Sequence, residues 1–385
     1  MKLLVITSIP TPYRVAFYNV LNQTLTEAGG KFKVLFCSKS EPNRHWQIDM
    51  DQLEFEYEIL KGFHLNFKHL FVHFNPSILL KTEDFEPDII LYTGPWNMLS
   101  LIYSLTYSKV FKKKWKTLFW SEGHEESVLF KKGIIPVIRS WVLNRFDGFT
   151  IPNERSKSFL FEYLKLKKKP AFILPNTVDG DFYTKPIEWN DFDTIRVKTS
   201  YGIRPESRIC IQIAQIEARK GVKELINYWH DLQQRIKENY ILFLVGEGSL
   251  KAELYRFCKE NRISDIIFTG NLAKEEVREL LFSSDFFILL TKYDPNPLTL
   301  IEASFAGLPI MTTRFAGNCS EIVFQEKNGV IIDKITFNEF HDAFIRLKDF
   351  AMDEQACKLS LNNANANFDI KTVVKELLEQ LPEVL

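Results

Sequence analysis

The chain has 385 residues, 45% of them hydrophobic and 25% charged, with 49 basic and 49 acidic side chains that cancel. That length exceeds one ordinary core and predicts two domains, while the composition is that of a soluble globular protein. No apolar run approaches the ~18 residues of a transmembrane helix, and five cysteines without a CxxC pair argue against disulfides or structural zinc and for a reducing cytoplasm.

The opening "MKLLVITSIPTPYR" has too short an apolar stretch for a signal peptide, with prolines at 10 and 12, and predicts a buried first strand. Further strands are expected at 32–38, 88–94, 117–122, 148–153 and 171–176, with helical patterns such as "RVAFYNVLNQTLTEAG" and "NMLSLIYSLTYSKVF" between them. Residues 1–185 carry 25 basic against 19 acidic side chains, and the excess is clustered in "KVFKKKWKTLFW", "LFKKG" (129–133) and "LKLKKKP" (164–170). Lysine mixed with Phe and Trp suits an anionic lipid surface, and equally the solvated ends of helices. Nucleic acid is disfavoured, because strands interrupt the basic residues and the second half is acidic. The stretch 179–208 is polar and turn-rich, as a linker would be. A second series of strands follows at 209–215, 241–248, 265–270, 285–291, 309–314 and 328–333, and the chain closes on an amphipathic helix, "TVVKELLEQLPEVL". Strands alternating with helices in two series predict an α/β protein of two doubly wound halves facing a central cleft.

Within the second series, "LTKYDPNPLTLIEASFAGLPI" (290–310) concentrates chemistry. Asn296 is suited to an N-cap and Pro297 to the first helical position. Gly307 and Pro309 mark the helix end. The free amides of Leu298, Thr299 and Leu300 then form an anion site, with Asp294 in the loop before it and Glu302 inside the helix. Carboxylates beside a phosphate site suit hydroxyls, hence a sugar-bearing nucleotide. Upstream, "RKGVKEL" sets Arg219 and Lys220 in a strand-to-helix loop able to grip a diphosphate. In "LVGEGSL", Gly246 and Gly248 would let backbone approach a ligand. The first strand ends without GxGxxG, which disfavours a dehydrogenase-type dinucleotide site.

Six fragments in order, "ILPNTVDGDF", "IAQIEARKGVKELI", "LVGEGSL", "FTGN", "DPNPLTLIEASFAGLPI" and "FAGNCSEIVFQEKNGVII", resemble the retaining glycosyltransferase family 4, also called glycosyl transferases group 1. The resemblance implies a GT-B fold: an acceptor-binding Rossmann-like domain over 1–180, a nucleotide-sugar-binding one over 181–365, and a C-terminal helix over 366–385 packing back on the first. It implies that Glu302 accepts hydrogen bonds from the ribose hydroxyls and that Asp294 reaches the transferred sugar. Leu298 and Thr299 would offer amides to the diphosphate, and Lys220 would be the phosphate lysine. On the acceptor side it points to Tyr13 and Arg14, and near the sugar to Glu122 or His124, between which the sequence does not choose. The family needs no metal. The histidines lack ligand spacing, and "DMD" (49–51) and "DFD" (191–193) are read as surface acids.

Three positions depart from the family pattern. Asp294 stands for the usual Glu, Pro297 for a Gly, and Gln215 for an Arg that would offset phosphate charge; Arg219 is the residue placed to compensate. The expected function is transfer of a sugar from a UDP- or GDP-sugar, without a cofactor, to a saccharide or lipid-linked acceptor in cell-surface polysaccharide or glycolipid assembly. The expected location is cytoplasmic, peripheral on the inner face of the membrane. A nucleotide-sugar epimerase of the same fold and a non-catalytic nucleotide-binding partner subunit are the alternatives.

Overall fold

Runs such as Leu3–Ile6 and Ile209–Ile211 are apolar at every position, so a strand built from them must be covered on both faces, and a parallel sheet with helices on each side does this. The computed structural model describes all residues except 42–48, 68–69, 126–127, 129, 131, 237 and 351–352. Leu129 and Lys131 of the basic segment 129–133 therefore lie outside the described residues. The chain divides into one unit of Met1–Thr177 with Ile370–Leu385, and a second of Val178–Asp369.

The first unit is built on β1 (Lys2–Thr7), β2 (Lys31–Phe36), β3 (Glu56–Ile59), a hairpin of β4 (Phe63–Phe67) and β5 (Leu70–Phe74), then β6 (Ile89–Tyr92), β7 (Lys116–Trp120), β8 (Gly148–Ile151) and β9 (Ala171–Ile173). Seven of these form a sheet in the order β3-β2-β1-β6-β7-β8-β9, and each pairing is parallel. The side-chain period of two sends Leu3 and Val5 to one apolar cluster and Leu4 and Ile6 to the other. Helix Ile370–Gln380 places Ile370, Val373, Val374 and Leu377 in the first of these clusters, against the helix Pro12–Glu27.

The second unit carries β10 (Arg208–Ile213), β11 (Tyr240–Val245), β12 (Ile266–Gly270), β13 (Phe286–Leu289), β14 (Ile310–Thr313) and β15 (Gly329–Ile332), in the order β12-β11-β10-β13-β14-β15. Ile209 and Ile211 face one cluster and Cys210 the other. In both sheets the order reverses beside the first strand, between β1 and β6 and between β10 and β13. Loops leaving the carboxyl ends of strands on either side of such a reversal diverge and leave a crevice, the usual ligand position in doubly wound sheets.

Two expectations need correction. The stretch 179–208 holds helices Gly180–Tyr183 and Asp191–Ser200. The second buries only Val197 and so shows no apolar period, but Asn190 and Asp193 form a capping box at its start. Strand β3 and the β4–β5 hairpin were also not expected. Of the two DxD segments, "DFD" supplies that cap, and in "DMD" the Asp49 carboxylate accepts from the Asp51 amide at 3.1 Å. Among the described residues no helix is long and apolar enough to cross a membrane.

Candidate active site

In the second unit the crevice between β10 and β13 is walled by the loops that leave these strands. After β10 the chain turns through a single helical turn, Ala218–Lys220, and enters helix Val222–Gln233 at Gly221. Gly221 has φ +66°, and a side chain there would collide with the Leu290 carbonyl at the end of β13. The two loops are also bonded together: Lys292 N–H donates to the Arg219 carbonyl at 2.8 Å, and Thr291 Oγ1 to the same oxygen at 3.1 Å. Gly221→Ala is therefore expected to cost about 2–4 kcal/mol of stability, since it adds a backbone collision to an unfavourable φ. Gly202→Ala is the control: its φ is +70° but the space around it is open, so about 1 kcal/mol is expected. Urea midpoints of the two variants check this, and equal losses would contradict it.

This stitching brings Lys220 and Asp294, 74 residues apart, into a direct ion pair between Nζ and Oδ2, with both residues only 8% exposed. Asp294 is further fixed by its backbone: its amide donates to the Phe315 carbonyl at 3.3 Å, and its carbonyl accepts from Gly317 N–H at 2.8 Å. Its other carboxylate oxygen accepts from Asn296 N–H at 3.3 Å, a turn that leads into the helix. That helix runs Leu298–Phe305 with Pro297 as its N-cap, one residue later than the sequence predicts, because Pro297 adopts extended ψ. The Leu300 amide bonds to the Pro297 carbonyl at 3.3 Å. Leu298 and Thr299, both half-buried, keep the first-turn amides that no helical carbonyl can reach. Asn318, missed in the sequence, holds the cap by donating Nδ2 to the Pro297 carbonyl at 3.1 Å. The buried Asn296 Nδ2 and Asn318 Oδ1 beside the helix start find no partner among the described residues.

Glu302 lies one turn inside. Burial pushes its carboxyl up to about 7, and a hydrogen bond with Tyr183 pulls the other way. Tyr183 is brought there by Gly180, whose missing side chain lets the short helix Gly180–Tyr183 rest on the Phe305 ring. Sequence reasoning missed this tyrosine; the glycine in "VDGDF" was the available signal.

Two predicted contributors have other partners. Arg219 donates Nη2 to Gln215 Oε1 at 2.6 Å and Nε to Glu217 Oε2 at 3.1 Å, so its guanidinium is engaged with the side chain it was expected to replace. Gly246 and Gly248 allow close approach of protein backbone, since side chains there would strike the carbonyls of Ala214 and Ile216. Both glycines thus shape the end of β10.

In the first unit the corresponding crevice lies beside β1. Thr93 Oγ1 after β6 donates to Thr7 Oγ1 at 2.8 Å, and the chain after β1 enters the helix Pro12–Glu27 that carries Tyr13 and Arg14. The Arg14 guanidinium sits 3.3 Å from the centroid of a Trp120 ring and donates Nη2 to Glu122 Oε1 at 2.5 Å. Burial disfavours its charge, but Tyr13 and Glu122 more than offset that and raise its pKa. Of the two candidates after β7, Glu122 is the one joined to Arg14, whereas His124 is buried with 1% exposure.

Residues 193–359 match the family model described as Glycosyl transferases group 1. An uncharacterized glycosyltransferase of Methanocaldococcus jannaschii is 24% identical over 289 residues, covering 71% of this chain and 67% of its own length. The alpha-galactosylglucosyldiacylglycerol synthase of Streptococcus pneumoniae is 27% identical over 191 residues, covering 49% of this chain and half of its own length. Among solved structures, HepE of Anabaena in complex with UDP superposes with a TM-score of 0.75 at 15% identity, covering all of both chains. The two parallel α/β sheets are those of the GT-B fold.

Proposed function

Since the chain belongs, through residues 193–359, to the glycosyl transferases group 1 family, we propose that it is a retaining glycosyltransferase that moves a sugar from a nucleotide-diphospho-sugar to a saccharide or lipid-linked acceptor. One observation supports this reading: the helix start at Leu298, the buried Lys220–Asp294 pair and Glu302, one turn into the same helix, are all carried by the segments that leave β10 and β13. In the proposed complex the diphosphate lies against the amides of Leu298 and Thr299 and against Lys220, and Glu302 accepts from the ribose hydroxyls. Asp294 faces the transferred sugar. In the reaction the bond between the sugar's anomeric carbon and the phosphate oxygen breaks, the acceptor hydroxyl oxygen bonds to that carbon from the same face, and its proton passes to the leaving phosphate. Preorganised amides and a cation stabilise the charge that develops on the diphosphate.

UDP-sugars are the proposed donors by analogy with HepE, whose complexes hold UDP and UDP-glucose. The diacylglycerol synthase named above supports a lipid acceptor. On the first unit, the Arg14–Glu122 pair with Tyr13 is the proposed acceptor side.

Thermal-shift screening with UDP, GDP, ADP and their sugar conjugates, followed by an assay of nucleoside diphosphate release, tests the proposal. Stabilisation by one nucleotide series and release that depends on acceptor are expected. Isomerised sugar without acceptor would identify an epimerase. Binding with neither event would identify a non-catalytic subunit, a reading to which the engaged states of Lys220 and Arg219 lend some support.

A further inference from the structure

A surface helix ordinarily turns its charges to water and its apolar stripe to the core. Helix Ile134–Leu143 of the first unit does not. Its buried side holds Val142, Leu143 and the arginine Arg139, whereas Ile134, Val137, Ile138 and Trp141 are 67%, 60%, 44% and 53% exposed. These four occur at i, i+3, i+4 and i+7, so they form one continuous stripe along the helix. Phe130, just ahead of it, is 57% exposed as well. Nothing among the described residues of the first unit covers the stripe.

Along the helix itself the charge has one sign, and the neighbouring segment 159–170 sets one acid, Glu162, against four lysines. From Lys132 to Arg145 the sequence holds no acid. The segment after residue 163 runs along the C-terminal end of the helix: Lys167 N–H donates to Asn144 Oδ1 at 3.0 Å, and Lys169 Nζ to the Asn144 carbonyl at 2.7 Å. This sets the exposed Lys165, Lys167 and Lys168 beside the helix. The Arg145 guanidinium lies 3.3 Å from the centroid of a Trp141 ring. Asp147, the nearest acid beyond, is held by Lys109 Nζ at 2.7 Å.

An apolar stripe asks for an apolar occupant, and the lysines ask for an anionic one. A second copy of the same face answers the first need but brings like charges together. An anionic bilayer answers both, taking the apolar side chains into its acyl boundary and the lysines among its headgroups. We infer that helix Ile134–Leu143, flanked by Lys165, Lys167 and Lys168, docks this protein on the surface of anionic phospholipid. The inference deepens the lipid-linked acceptor reading and rests on it for its purpose.

The test is co-sedimentation of the full chain with vesicles of phosphatidylcholine, alone or with about one third phosphatidylglycerol. Binding is expected only to the anionic vesicles and should weaken with salt. The double variant Val137→Glu with Trp141→Glu is expected to lower partitioning by about ten-fold or more, since it places charge in the apolar stripe. The triple variant Lys165→Ala, Lys167→Ala and Lys168→Ala is expected to lower it comparably and to remove most of the salt dependence. Wild-type partitioning that ignores phosphatidylglycerol, or both variants binding like wild type, would overturn the inference. So would a wild-type dimer in sedimentation velocity, without vesicle binding, that the double variant dissolves. UDP and GDP affinities, measured on the same proteins, separate the two readings: they should be unchanged in every variant, and their absence in all would sink the transferase while leaving the docking result standing.

Discussion

Lys220→Ala is expected to weaken binding of UDP or GDP by about a hundred-fold, or ~2.7 kcal/mol, while the corresponding nucleosides lose little. A charge-assisted hydrogen bond to phosphate is worth about 1.5–3 kcal/mol. The substitution also leaves Asp294, its buried partner, as an uncompensated carboxylate next to the diphosphate position. Because breaking a buried pair lowers stability as well, the double variant Lys220→Ala with Asp294→Asn belongs in the same series. It should recover much of the folding stability and only part of the diphosphate affinity. Calorimetric titration with nucleoside and nucleoside diphosphate separates the cases, and equal losses for both ligands would show that the lysine does not meet the phosphates.

Glu302→Ala is expected to reduce turnover by about a thousand-fold, through loss of two hydroxyl-to-carboxylate bonds of about 1.5–3 kcal/mol each. Its pH behaviour gives a second handle. With its folded pKa raised to about 7 by burial, against an ordinary 4.5, Glu302 is partly protonated in the free protein at neutral pH. The folded chain then holds this proton more tightly than the unfolded chain does. Its contribution to stability is therefore greatest at low pH and falls as pH rises from about 4.5 through 7. Ribose hydroxyls need the ionised acceptor, so nucleotide affinity should run the opposite way, rising between about pH 6 and 8 with proton release on binding. Glu302→Gln should flatten that dependence. A wild-type affinity independent of pH over this range would place Glu302 away from the nucleotide.

The parts of the fold that could be read in advance are those whose residues are buried on both faces. Leu3–Ile6 or Phe286–Leu289 can only be central strands, and their alternation with helical periods fixes the doubly wound class. Strand β3, Glu-Tyr-Glu-Ile at the sheet edge with no fully buried residue, was too short and polar to register. Helix Asp191–Ser200 escaped because it buries a single residue, although its Asn190–Asp193 cap was present to be read. At the site, local rules identified the helix start near Pro297, its end at Gly307 with φ +73°, and the loop at Gly221. What they could not give were the long-range pairings. Lys220 meets Asp294 because β10 and β13 are neighbours, and Tyr183 meets Glu302 because Gly180 admits the Phe305 ring. Arg219 was assigned from its charge, and only the folded loop reveals Gln215 and Glu217 as its partners.

The crevice at β10 and β13 is the proposed seat of a nucleoside diphosphate, and a crystal structure of the chain soaked with UDP or GDP tests this most directly. The diphosphate should lie within about 3 Å of the Leu298 and Thr299 amides and Lys220 Nζ, with a ribose hydroxyl on Glu302. A nucleotide bound elsewhere, with the Lys220–Asp294 pair and the helix start untouched, would contradict it.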